Sequence, residues 1–134
     1  MHQRVNVSSG SPFEDQVGYS RAVRVGPFIA IAGTTAPGPD AATQTREVLR
    51  RIAIALDQVG AALSDVVRTR IFVTDIASWH EVGAVHADVF SDIRPVATMV
   101  EVSALIHPGL FVEIEADAYV EGGSGANSPS DPGR

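Results

Sequence analysis

The sequence predicts one α+β domain, in which two helices pack on one face of a single β-sheet and the elements follow the order ββαβαββ. Strand-like alternation occurs in residues 21–33, 65–75 and 94–120, and the two segments between them have helical apolar spacing. The length of 134 residues suits a single domain that can bury a core. An apolar fraction of 45% and a charged fraction of 19% are typical of a compact globule.

The first two strands are predicted in "RAVRVGPFIAIAG" (21–33), where Gly26 and Pro27 indicate a turn. The run "FIAIA" is apolar at every position, which is typical of a central strand covered on both faces. A further short strand is expected around Arg4 to Val7.

Two amphipathic helices are predicted between the strands. The first lies in "PDAATQTREVLRRIAIALDQVG" (39–60), with Asp40 or Thr43 as its N-cap and Gly60 at its end. The second begins at Ser78, because Ser78 and Glu81 have the spacing of a capping box. The buried stripe of the second helix is predicted to contain Val82, Val85, His86, Val89 and Phe90.

The strand "DVVRTRIFVTD" (65–75) separates the helices. Alternation predicts two faces for it, one with Val67, Thr69, Ile71 and Val73 and the other with Val66, Arg68, Arg70 and Phe72. The segment "RPVATMVEVSALIHPGLFVEIEADAYV" (94–120) predicts two strands joined by a Pro-Gly turn, with carboxylates along both.

One face of the predicted sheet lacks a cover. Both helices are one-sided, so they should share one face, and the rest of the chain is too short to cover the other apolar face. A second copy of the chain is the expected cover. The segment 122–134 is rich in Gly, Ser and Pro and is predicted to be disordered, which leaves residues 1–121 as the domain.

Composition excludes several classes of function. The net charge of -6 disfavours a nucleic-acid surface. All ten basic residues are arginine, so a Schiff-base lysine and a P-loop lysine are both absent, and no cysteine is present. No apolar window approaches the ~20 residues of a membrane span. We therefore expect a cytoplasmic protein without a membrane partner.

The histidines do not predict a metal site. His80 and His86 lie six residues apart on a helix, so their imidazoles diverge. His86 belongs to the apolar stripe and is interpreted as a packed core residue, and His107 precedes a turn, where a solvated histidine is ordinary. No metal is expected.

Two glutamates share one face of the last strand. By spacing alone, Glu113 and Glu115 favour a solvated face. A neighbouring subunit that buried this face would require each carboxylate to be paired or functional. Catalysis at this strand therefore remains open.

The order of these elements resembles the RidA/YjgF family of small enamine and imine deaminases. The matching runs are "YSRAVRVGPFIAIAG" (19–33), "TREVLRRIAIALDQVGAALSDVVRTRIFVTDI" (45–76) and "RPVATMVEVSALIHPGLFVEIEADAYV" (94–120). The resemblance implies a chorismate-mutase-like fold and a homotrimer with three small-molecule clefts between subunits. It implies no cofactor.

The resemblance also implies site residues. Glu113 matches the glutamate that positions the attacking water, Tyr19 matches the cleft tyrosine, and Gly33 matches the glycine that ends the central strand. Thr98 and Met99 match two further substrate-binding positions. Glu101 and Glu115 are expected to have structural roles.

One residue of the family pattern is missing. The family has Pro-x-Arg-Ser/Thr, and its arginine binds the substrate carboxylate; here "PVATM" has Ala97 at that position. Arg94 lies three residues away, so strand alternation directs it to the opposite face. Whether Arg68 or Arg70 reaches the cleft stays open.

Two functions follow from the resemblance. The first is a hydrolase that deaminates small reactive enamines or imines with release of ammonia, on a substrate other than 2-iminopropanoate. The second is a non-catalytic small-molecule-binding trimer of the same fold. A ribonuclease, a third activity attached to this family, is disfavoured by the net charge and by the lack of a basic, aromatic surface.

Overall fold

The computed structural model describes residues 3–121, so the predicted disordered tail lies outside the described residues. The strands are β1 (Arg4–Val7), β2 (Ala22–Val25), β3 (Phe28–Thr34), β4 (Val66–Val73), β5 (Val96–Glu101) and β6 (Val112–Tyr119). The helices are α1 (Pro12–Val17), α2 (Ala41–Gln58) and α3 (Trp79–Phe90), with short 3-10 turns at Leu63–Asp65 and Ile76–Ser78.

The strands form one sheet in the order β1-β2-β3-β6-β4-β5. Only β4 and β5 are parallel within this sheet. Helix α2 packs against β3, β6 and α3. The predicted α+β class is therefore confirmed, and the expected strand around Arg4 to Val7 is present. The short helix α1 is an addition that the sequence patterns did not predict.

The core lies between the sheet and the two long helices. Alternate residues of β6 are buried there, and so are the apolar positions of α2 that recur every three or four residues. The largest fully buried apolar side chains are Ile29, Leu49, Ile52, Leu56 and Ile114. The helix-covered face is therefore continuous from β3 to β4.

The last two strands are not a hairpin. Strand β4 lies between β5 and β6, so the Pro108-Gly109 turn lies within a loop from residue 102 to residue 111. Both predicted strands are present, and alternation identifies strands without identifying their neighbours in the sheet.

The predicted faces of β4 were wrong at its first residues. The pairing with β6 shifts between Val66 and Arg68, and a bulge there adds one residue to β4. As a result Val66 is buried and Val67 is 50% exposed. From Arg68 to Val73 the faces agree with the prediction.

Both long helices begin where the sequence indicates. The Asp40 Oδ1 accepts a hydrogen bond of 2.7 Å from the Thr43 backbone N–H, which caps α2. Ser78 precedes α3, but the predicted capping box is absent. Its Oγ instead donates to the Asp75 carbonyl oxygen at 2.7 Å, because a 3-10 turn leads into the helix.

The sheet face opposite the helices is called the open face below. Its centre carries an ionic cluster in which Arg70 Nη1 lies 3.3 Å from both Glu115 Oε1 and Asp117 Oδ2. Exposed apolar side chains surround this cluster, namely Val25, Phe28, Val96, Val100 and Tyr119. The open face is therefore mixed in character, with charges at its centre.

Candidate functional site

A cavity of about 660 Å³ lies at one end of the open face. It is lined by Tyr19, Gly33 and Glu113, which come from the segment before β2, from β3 and from β6. The antiparallel pairing of β2 with β3 and of β3 with β6 brings these distant residues together. Three of the six predicted site residues therefore share one cavity.

Glu113 lies directly against Gly33. A Cβ atom at residue 33 would overlap the Glu113 Oε2, so the carboxylate occupies the space of the missing side chain. The backbone of Gly33 has no positive φ, so conformational freedom does not require glycine there. Glycine is needed because the carboxylate makes a close approach to the strand.

The carboxyl group of Glu113 is half-buried. Burial raises its pKa, the negative charge of Glu115 raises it further, and the charge of Arg21 partly offsets both effects. No salt bridge within residues 3–121 includes Glu113. A carboxylate with a raised pKa and no structural partner is suited to proton transfer.

The other two candidate glutamates have structural partners. Glu115 pairs with Arg70 in the ionic cluster. The Glu101 Oε1 accepts a hydrogen bond of 2.9 Å from the Ile76 backbone N–H, which ties the end of β5 to the turn before α3. These contacts agree with the structural roles expected for both residues.

The two arginines that sequence left open do not line the cavity. Arg70 is held by Glu115 and Asp117, and Arg68 Nε lies 4.0 Å from Asp117 Oδ2. The cavity is instead lined by Arg21 and Arg51, neither of which the sequence patterns singled out.

Arg21 is the more deeply placed of these two arginines. Its Nη2 donates a hydrogen bond of 2.7 Å to the Gly33 carbonyl oxygen. Its Nε is buried and has no hydrogen-bond partner among residues 3–121. The sequence did contain a signal for Arg21. Residues 19 and 21 are two apart just before a strand, and this spacing places them on the same face as each other. Alternation does not show, however, whether a long arginine side chain reaches the cavity.

Arg51 reaches the cavity from α2. Its Nε donates to Glu47 Oε2 and its Nη1 to the Thr35 carbonyl oxygen, both at 3.0 Å. These two contacts hold the guanidinium near the end of β3. The cavity therefore has two cationic groups beside one carboxyl group, Glu113.

Ala97, Thr98 and Met99 do not join the cavity within one chain. They lie on the edge strand β5, and β4 separates β5 from β6. The parallel register places Ala97 beside the buried Thr69 and Met99 beside the buried Ile71, on the helix-covered face. Thr98 lies beside Arg70 on the open face.

The histidines have separate surroundings. The Nε2 of His86 lies 2.9 Å from the Thr69 Oγ1, and burial lowers the His86 pKa, as fits a packed residue. His107 lines the cavity, with its ring 6.1 Å from that of Phe13. Its position before a turn did not predict this contact with the cavity.

Residues 3–121 contain no group of three potential metal-ligating side chains. In the same range, no helix has the length and apolarity that a bilayer crossing requires.

The fold and the cavity define a class of small α+β proteins with a glutamate-bearing cleft. The family model described as Endoribonuclease L-PSP matches residues 11–120. The chain therefore belongs to this family, which is also called the YjgF/YER057c/UK114 family, and the RidA/YjgF resemblance is confirmed.

Solved and curated relatives support the same assignment. The crystal structure of Rv2704 from Mycobacterium tuberculosis, a member of that family, has 69% identity and a TM-score of 0.87, and the match covers 88% of this chain and 100% of that one. The protein SCO2049 of Streptomyces coelicolor is 32% identical over 84% of this chain and 90% of its own length. The 3-aminoacrylate deaminase RutC of Acinetobacter baylyi is 38% identical over 60% of this chain and 64% of its own length.

Proposed function

We propose that this protein hydrolyses small reactive enamines or imines and releases ammonia. The observation that carries the proposal is the position of Glu113. Its carboxyl group has a raised pKa and lies against Gly33 in a cavity large enough for a small metabolite. A carboxylate without a structural partner, at a site that can admit a ligand, suits a general base.

The proposed reaction balances with water alone. An enamine first takes a proton on carbon and becomes an iminium ion. Glu113 accepts a proton from water while the water oxygen forms a bond to the iminium carbon. Glu113 then returns this proton to the nitrogen of the carbinolamine, and ammonia leaves as the C–N bond breaks. The hydroxyl group releases its proton to solvent as it becomes the carbonyl group, which balances the proton taken up on carbon. The products are a carbonyl compound and ammonia, and no redox step is involved.

The relatives favour this chemistry over others. The Acinetobacter baylyi relative is named a deaminase of 3-aminoacrylate, an enamine that bears a carboxylate. The family model is named after an endoribonuclease. A net charge of -6 disfavours binding to the phosphates of RNA, so we favour the deaminase.

We also propose that the working site lies between subunits of a homotrimer. Ala97, Thr98 and Met99 lie on an edge strand away from the cavity of their own chain. The strand β5 of a neighbouring subunit would bring these residues to the cavity. The site would then combine Glu113, Tyr19 and Gly33 of one chain with the 97–99 segment of the next.

A second candidate function is a non-catalytic small-molecule-binding trimer. Ala97 favours it, because the family's carboxylate-binding arginine is missing at that position. The cavity would then bind a metabolite without turning it over.

A measurement of ammonia release separates the two functions. The enamines 2-aminoacrylate and 3-aminoacrylate would be generated in the cuvette, and the excess ammonia release over the spontaneous rate would be recorded. We expect turnover of at least one substrate, and we expect 2-aminoacrylate, whose imine tautomer is 2-iminopropanoate, to be a weak one. Glu113→Gln should lower kcat by roughly 10²–10⁴-fold, because it removes the base and keeps the shape.

Glu115→Gln is the matched control, since it changes the same residue type two positions along the same strand. It should retain activity within a few-fold of the wild type. Full activity in Glu113→Gln would refute the mechanism. An absence of turnover across the panel would favour the binding protein.

A further inference from the structure

We propose that Arg21 binds the carboxylate of an anionic ligand in this cavity and so replaces the arginine that is missing at Ala97. The inference rests on the proposed function only for the location of the ligand. It identifies the ligand class as a small carboxylate.

The first argument is the hydrogen bonding of Arg21. Its Nη2 is fixed by the bond of 2.7 Å to the Gly33 carbonyl oxygen, which orients the plane of the guanidinium. Its Nε is buried but lacks a hydrogen-bond partner among the described residues. A buried donor without a partner costs free energy, and a ligand carboxylate would satisfy it.

The second argument is the location of Arg21. It lines the same cavity as Glu113 and Tyr19, and its pKa responds to both side chains. Burial lowers the Arg21 pKa, and the charges of Tyr19, Glu14 and Glu113 raise it. An arginine stays charged under such conditions, so a cation faces the cavity at neutral pH.

The third argument is the disposition of the nearby charges. The buried Glu14 carboxylate accepts hydrogen bonds from Ser9 N at 3.0 Å and Ser9 Oγ at 2.6 Å, so it is already engaged. Arg51 lines the same cavity and adds a second positive charge. The two arginines thus make one wall of the cavity cationic, and a guanidinium matches a carboxylate in shape as well as in charge.

Other nearby arginines have different tasks. Arg68 and Arg70 belong to the ionic cluster with Asp117. Arg24 is buried on the helix-covered face, where it donates to the carbonyl oxygens of Gly26 and Val59. None of these three lines the cavity.

The test compares a carboxylate with its neutral amide. Binding of pyruvate and of pyruvamide would be measured by NMR titration of the full chain. The wild type should prefer pyruvate. Arg21→Gln should weaken pyruvate binding by about 10- to 100-fold, since a charge-assisted hydrogen bond is lost, and should leave pyruvamide binding unchanged.

Arg46→Gln is the control for loss of one positive charge, because Arg46 is exposed, pairs with Asp88 and does not line this cavity. It should bind pyruvate as the wild type does. A wild type that binds pyruvamide as well as pyruvate would overturn the proposal. Unchanged pyruvate binding in Arg21→Gln would overturn it too.

A measurement on the wild type covers the case in which Arg21→Gln does not fold. The Nε–H resonance of Arg21, assigned with Arg21→Lys, should move on addition of pyruvate. It should not move on addition of pyruvamide. A resonance that pyruvate leaves unmoved would contradict the proposal.

The failure of this inference differs from that of the proposed function. Glu113→Gln should lower the rate of hydrolysis by roughly 10²–10⁴-fold yet keep the Arg21-dependent binding of pyruvate. If the wild type binds pyruvate through Arg21 but hydrolyses no substrate, the deaminase is refuted and the carboxylate site is supported. Ammonia release by a wild type whose pyruvate binding does not depend on Arg21 would support the deaminase and refute the carboxylate site.

Discussion

Glu113 and Glu115 are two residues apart on the same face of one strand, and they have opposite surroundings. Glu115 lies beside Arg70 in a cluster of charges. Glu113 faces a cavity and has Gly33 against its carboxylate. Both residues are glutamates on one face of the same strand, so only the contacts with neighbouring strands distinguish them.

The pH dependence of any hydrolysis should report the ionisation of Glu113. Its pKa lies above the ordinary value of 4.5, so a rate that needs the carboxylate should fall as the pH decreases through that raised pKa. Glu115→Gln removes a charge that raises this pKa, so the acid limb should move to lower pH. Arg21→Gln removes a charge that lowers it, so the limb should move to higher pH.

Rate profiles of kcat against pH for the three proteins test these directions. Arg46→Gln changes a distant charge and should leave the limb in place. A limb that moved the same way in Glu115→Gln and Arg21→Gln would show that Glu113 does not govern the rate.

Gly33→Ala should impair activity more than stability. The added methyl group would overlap the end of the Glu113 side chain, which is flexible and can move aside. The backbone at residue 33 needs no positive φ, so alanine adds no backbone strain. We expect a fall in kcat of about tenfold or more, from a base displaced by about 1 Å.

Thermal melting beside the rate measurement checks this expectation. Gly83→Ala is a suitable control, because a Cβ there meets no atom within 4 Å. An unfolded Gly33→Ala protein, or one with wild-type kcat, would contradict the close approach described.

At the scale of elements, Gln44 connects α2 to the loop before β6. This side chain is fully buried. Its Nε2 donates to the carbonyl oxygens of Gly38 at 3.0 Å and Gly109 at 2.9 Å, and its Oε1 accepts from Phe111 N at 2.8 Å. The loop that it holds carries Ile106 and His107, which line the cavity.

Gln44→Leu should therefore lower the free energy of unfolding by ~2–4 kcal/mol, since three hydrogen bonds are lost and buried polar groups lose their partner. Urea denaturation would measure the change. Gln58→Leu, at an exposed position of the same helix, is the control and should have little effect. Equal effects of both substitutions would contradict the role given to Gln44.

The sequence predicted where the helices and strands lie better than it predicted which strands are adjacent in the sheet. Periodicity located both long helices and all six strands, because amphipathic burial leaves a local pattern. It could not locate the bulge at Val67, which changes the pattern for one residue only. It also did not show that β4 lies between β5 and β6, because no local pattern identifies the neighbours of a strand.

The same distinction applies to the site. The resemblance led to Glu113, Tyr19 and Gly33, which share a cavity. It did not lead to Arg21, because the family pattern places its cation elsewhere. Long-range contacts decide which polar group faces a cavity, and a single sequence does not contain them in readable form.

At the scale of the whole molecule, we expect a homotrimer. The open face leaves Val25, Phe28, Val100 and Tyr119 exposed, and a neighbouring subunit would cover them. Light scattering should give three times the chain mass of 14.1 kDa. A chain that ends at Glu121 should assemble equally well, and a monomer at micromolar concentration would defeat the prediction.

The place of β6 in the sheet has a consequence for biosynthesis. Strand β6, the last strand of residues 3–121, lies between β3 and β4, so both of these strands lack a neighbour until it arrives. A nascent chain that has emerged from the ribosome only as far as residue 111 would expose two strand edges and an open core. The catalytic candidate, Glu113, emerges with the strand that closes the sheet. The sheet and the part of the site that one chain supplies are therefore completed in a single event, when β6 has emerged.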